Sequence, residues 1–117
     1  MPDMDKDSLV VVWSSGDRDV ADKMVFMYAL NAKRRGWAEE VELIVLGPSS
    51  KLLSHDAELQ EQVAAMQEVG VVFKACKACA DSYGVSEKLQ ELGVEVKYMG
   101  IDLTDFIVAE DWEVITF

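Results

Sequence analysis

At 117 residues the chain has single-domain length, and half of its residues are apolar, which excludes a disordered or fibrous class. Twenty-two acidic side chains against eleven basic ones leave a formal charge of −11, which repels nucleic-acid phosphates and anionic lipid surfaces and argues against direct nucleic-acid binding. The start, MPDMDKDS, lacks the basic and apolar parts of a signal peptide, and the longest apolar run, 24–30, is far short of the ~20 residues of a membrane helix, so no membrane partner and a cytoplasmic location are expected.

In chain order, 2–7 is a polar lead-in and 9–13 (LVVVW) is a continuous apolar run of strand length, the pattern of a strand buried on both faces. Ser14, Ser15, Gly16 and Asp17 form a turn, with Asp17 or Asp19 as N-cap of a helix over 20–35 that Gly36 ends. Its segment MVFMYAL is apolar all round, whereas a helix on the outside of a sheet keeps one wet face, so a second subunit is expected to cover the excess. A second strand spans 40–46 and closes at Gly47 and Pro48. The polar segment SSKLLSHD reads as a loop holding the only histidine, His55. A helix over 57–68 leads to a third strand, 71–75, which runs into both cysteines of the chain, Cys76 and Cys79. Short helices end at Gly84 and Gly93, a fourth strand follows at 94–99, a helix at 103–110, and a fifth strand at 113–117.

Strands alternating with helices over short links indicate one α/β domain spanning 1–117, a three-layer α/β/α sandwich around a mostly parallel five-stranded sheet. In such folds the loops at the carboxyl ends of the strands line the ligand crevice. Those loops carry Ser14, Ser15 and Asp17 after the first strand, His55 after the second, Cys76 with Lys77 and Cys79 after the third, and Asp102 with Thr104 after the fourth.

Two cysteines three residues apart in a cytoplasmic protein read as reduced, reactive or metal-binding rather than as a structural staple. Cys76, at a strand tip with a helix starting behind it and Lys74 and Lys77 flanking it, is expected to have a pKa below the free-thiol value of ~8.5. The other reading of Cys76 is a small apolar residue packing the sheet edge. Cys79 reads either as a resolving thiol, closing a disulfide that releases bound sulfide or shields Cys76, or as a core-facing helix residue. A thioredoxin-type oxidoreductase needs a proline opposite its CxxC, and the only prolines are Pro2 and Pro48. Two cysteines and one histidine are too few for a structural zinc site within one chain, so no metal is expected. His55 reads as a base or charge partner for the thiolate, or as a solvated loop residue; Asp17 reads as a cap or a ligand contact.

The apolar strand VVFKAC with Gly84 and Val85 eight and nine residues beyond its cysteine, the GVEVKYMG fourth strand and the closing WEVITF together resemble the DsrE/DsrF-like sulfur-relay family, including its TusD-type subunits. The resemblance covers nearly the whole chain. It implies the same α/β/α fold, homo-oligomers such as trimers or hexamers, and a persulfide carried on the cysteine that ends the third strand, which is Cys76 here. The second thiol, Cys79, departs from carriers that place apolar or small residues there. A sulfur carrier exchanging sulfur with donor and acceptor proteins, a sulfurtransferase-type role, needs no bound cofactor. The competing function is a non-catalytic homo-oligomeric module that binds a small ligand or partner with inert cysteines.

Overall fold

The computed structural model describes residues 8–117; the polar lead-in 2–7 lies outside them. Five strands form one all-parallel sheet in the order β4-β3-β2-β1-β5, made of β1 (Ser8–Trp13), β2 (Glu40–Val45), β3 (Val72–Cys76), β4 (Glu95–Lys97) and β5 (Trp112–Thr116). β1 lies near the middle and is buried along its whole length, as its unbroken apolar run requires.

This order decides where the helices go. From β1 to β4 the chain steps three times in one direction, and right-handed crossovers place all the intervening helices on one face. The return from β4 at one edge to β5 at the other runs in the opposite direction and carries its helix across the other face. On the first face Val11, Trp13, Leu43, Val45, Phe73 and Ala75 pack against the helices, and a T-shaped Trp13–Phe26 contact at 5.0 Å leads on to Phe73 at 6.3 Å. On the second face Val10, Val12, Ile44 and Met99 are covered by Leu103, Phe106 and Trp112, where α7 (Gly100–Val108) supplies the only helical layer among the described residues.

The first helix runs over 18–34 as α1 (Arg18–Val20), a π-helical stretch (Ala21–Phe26) and α2 (Met27–Arg34). Asp17 caps it, accepting from the Asp19 and Val20 amides at 2.8 and 3.2 Å. The wide π turn lets Ala21, Val25, Phe26 and Ala29 all face the core, while Met24, Met27 and Tyr28 face outward. The expected excess of apolar surface is thus real: those three residues, with the exposed Trp37 and with Phe117, line a groove of about 410 Å³.

The segment read as a loop is a helix, α3 (Pro48–His55). Pro48 occupies its first turn, where a missing N–H costs nothing, and Leu53 is buried. The buried Ser49 hydroxyl donates to the Trp13 carbonyl and accepts from the Leu46 amide, so a polar residue can sit in the interior and the segment's polarity misleads. α4 (Ala57–Glu68) follows, then α5 (Lys77–Tyr83) and α6 (Ser86–Glu91) after β3.

Asp56 joins two of these helices. One carboxylate oxygen accepts from the Leu59 amide at 3.0 Å as the N-cap of α4, and the other takes Arg18 Nε at 2.8 Å. The Leu59 amide first, and Arg18 second, hold this carboxyl below the ordinary value of 3.8. Asp56→Ala is expected to cost about 1–2 kcal/mol at neutral pH, a lost cap plus an exposed ion pair. Because the folded state depresses this pKa, the contribution is present above the ordinary carboxylate value and lost as the pH falls through the folded one. Urea midpoints of the two proteins should therefore differ at pH 7 and converge below about pH 4.

Candidate functional site

β3 delivers Cys76 to the carboxyl edge of the sheet, and the chain turns there directly into α5, with Cys76 as its N-cap in an extended conformation. Three residues on, the Cys79 amide donates to Cys76 Sγ at 3.4 Å. The sulfur thus serves as a helix cap, the role usually taken by a side-chain oxygen. Strand alternation puts Cys76 on the second face, where it packs against the cluster of Val10, Val12, Ile44 and Met99. Its neighbour on β4 is Lys97, whose ammonium lies 2.9 Å from Asp102.

Both cysteines are free and half-buried. Burial pushes the Cys79 thiol up, hydrogen bonding and charge coupling to Cys76 push it the same way, and a hydrogen bond from the Gly47 amide opposes them. Gly47, at φ 71° and ψ −137°, has a backbone conformation open to glycine and strained for other residues, and this conformation turns its N–H toward the thiol. Each sulfur thus meets a backbone amide, Cys76 that of Cys79 and Cys79 that of Gly47.

The expected cationic flank is differently arranged. Lys77 binds Asp81 at 2.8 Å and stands 5.9 Å over the Tyr98 ring; Asp81 holds its ammonium protonated and is itself hydrogen-bonded by Ser86. Lys74 shares the face of Cys76, being two residues away, but its ammonium lies 3.2 Å from Glu42. Burial is the main cause raising the Glu42 carboxyl above its ordinary value, against Lys74, and its other oxygen has no hydrogen-bond partner among the described residues.

The other expected residues lie apart from the sulfurs. Ser14 donates its hydroxyl to the Phe117 carbonyl at 2.9 Å, Ser15 accepts from the Asp17 amide at 3.1 Å, and Asp17 is the helix cap. These follow β1, two strands from β3 and so roughly 10 Å away in the sheet. His55 is exposed in the last turn of α3, its Nδ1 3.2 Å from the Ser54 hydroxyl. The Gly47 amide, just beyond β2, reaches Cys79, and Tyr98, just beyond β4, lies under the Lys77 ammonium. The sequence signal for Gly47 is the Gly-Pro pair after an apolar strand, which reads first as a strand terminator. Among the described residues no three His, Cys, Asp or Glu side chains are grouped to hold a metal ion, and no helix is long and apolar enough to cross a membrane.

The chain matches the model of the DsrE/DsrF-like family over residues 7–117. It is similar in structure to a conserved protein of unknown function from Bacteroides thetaiotaomicron, with a TM-score of 0.90, 33% identity and 95% of each chain covered. It shares its fold with the YchN protein from E. coli, with a TM-score of 0.70 at 15% identity over 96% of this chain and 99% of that one. No curated protein matches. A family match over almost the entire length leads to one conclusion: the chain belongs to the DsrE/DsrF-like family, which is broadly linked to sulfur relay.

Proposed function

We propose that the protein carries sulfur as a persulfide on Cys76, taking it from a donor protein and passing it to an acceptor. The observation that carries this reading is the placement of Cys76: half-buried at the tip of β3, it is the N-cap of α5 and its Sγ accepts the Cys79 amide at 3.4 Å. In the loading step the Cys76 thiolate attacks the terminal sulfur of a donor persulfide and the donor thiolate leaves. In the unloading step an acceptor thiolate attacks the terminal sulfur on Cys76, and the Cys76 thiolate leaves. Neither step requires a resident cofactor. Ion pairing of Lys77 with Asp81 and of Lys97 with Asp102 leaves the rim of the site charge-balanced, which suits docking of a partner protein's thiol. A homo-oligomer, a trimer or hexamer, would cover the outward Met24, Met27, Tyr28 and Trp37.

The test is sulfane-sulfur content. Protein loaded with glutathione persulfide and freed of excess donor should yield roughly one thiocyanate per chain on treatment with cyanide. A folded protein that yields none contradicts the proposal.

A further inference from the structure

We infer that Cys79 gives the site a second activity, release of sulfide: with no acceptor docked, the Cys79 sulfur attacks Sγ of the Cys76 persulfide, expels hydrosulfide and leaves a Cys76–Cys79 disulfide. The inference rests on the persulfide reading of Cys76. Its basis is the placement of the pair. Cys76 is the N-cap and Cys79 the third residue of α5, both thiols are free, and the Cys79 amide already touches Cys76 Sγ at 3.4 Å. Side chains three apart on a helix have Cβ atoms roughly 5–6 Å apart, and a disulfide needs about 3.5–4.5 Å. The remaining ~1–2 Å is a small backbone adjustment at Cys76, whose φ of −67° and ψ of 117° already lie outside the helical conformation.

The step balances without an outside reagent. The Cys79–Cys76 sulfur–sulfur bond forms as the bond from Cys76 Sγ to the terminal sulfur breaks, and the electron pair leaves with the terminal sulfur. The Cys79 sulfur is oxidised from thiol to disulfide and the terminal sulfur is reduced to sulfide. The proton of Cys79 passes to the departing sulfur, which would otherwise leave as a dianion. Burial and the neighbouring Cys76 sulfur keep that proton on Cys79, so it is present to be transferred. Reduction of the resulting disulfide by a dithiol or a low-molecular-weight thiol returns the carrier to its starting state.

The experiment loads wild type, Cys79→Ser and Cys79→Ala with glutathione persulfide, removes the donor, and follows free sulfide and intact mass without added thiol. Wild type should lose its added ~32 Da, release roughly one sulfide per chain and settle ~2 Da below the reduced mass, while both variants keep the added sulfur at least about tenfold longer. Equal release rates in wild type and both variants would overturn the inference, as would transfer of the added sulfur to Cys79 without release. Failure of all three proteins to gain mass would remove the persulfide reading itself, and the release step with it.

Discussion

Cys76→Ser should reduce cyanide-releasable sulfur to background, a loss of at least about a hundredfold, with folding stability held within about 1 kcal/mol of wild type. The two halves of this expectation come from different physics. A serine hydroxyl is far less acidic than a thiol, and an oxygen there forms no persulfide. As an N-cap, however, serine is among the most favourable residues, and its oxygen can accept the Cys79 amide that Cys76 Sγ now accepts. The variant exchanges one half-buried sulfur at the edge of the second-face cluster for a smaller oxygen. Thiocyanate yield and the urea midpoint measured on the same preparation separate chemistry from folding. A large fall in stability would show that Cys76 is chiefly a packing residue.

Phe26→Ala is expected to have the largest effect on stability, a loss of about 3–5 kcal/mol. Phe26 is 1% exposed and lies between Trp13 and Phe73, meeting both rings edge-on, so truncation leaves a void that two large aromatics cannot both move to fill. Edge-to-face pairs of this kind add about 0.5–1.5 kcal/mol beyond area burial. Against a total of about 5–15 kcal/mol for a domain of this size, the variant would be marginally folded. The check is a large drop in the urea midpoint with an unchanged slope. A loss below about 1 kcal/mol would mean that the helix covering β1 is not fixed by this aromatic stack.

How much of this could be read from the chain depended on whether the signal was local. LVVVW is a continuous apolar run and VELIVL one interrupted only by Glu42, and both became strands buried along nearly their whole length. The alternation of strands and helices indicated a parallel sheet, and the position of Cys76 at the tip of β3 followed from the apolar run ending there. Strand order, by contrast, is a long-range property. Without it the return of the chain to β5 on the far side of β1 was not legible, nor was the coverage of the second face by α7. The capture of Lys74 by Glu42 depends on β2 and β3 lying side by side in register, so sequence proximity to Cys76 pointed to the wrong partner. α3 was hidden because two of its serines are completely buried, and Ser49 is satisfied by backbone groups from elsewhere in the fold. The π turn over Ala21–Phe26 broke the 3.6-residue period on which the reading of the first helix relied.

The thiol pair shows the same limit. Spacing alone gave a CxxC at a helix start, which is compatible with redox, metal and sulfur-carrying chemistry. The Cys79 amide on Cys76 Sγ and the Gly47 amide on Cys79 appear only once the β3–α5 turn and the turn after β2 are in place.

The most direct measurement is intact-mass spectrometry immediately after loading with glutathione persulfide, on wild type, Cys76→Ser and Cys79→Ser. Wild type and Cys79→Ser should each gain ~32 Da, and Cys76→Ser should gain nothing while remaining folded. A gain in Cys76→Ser equal to that of wild type, or no gain in any of the three folded proteins, would contradict sulfur carriage on Cys76.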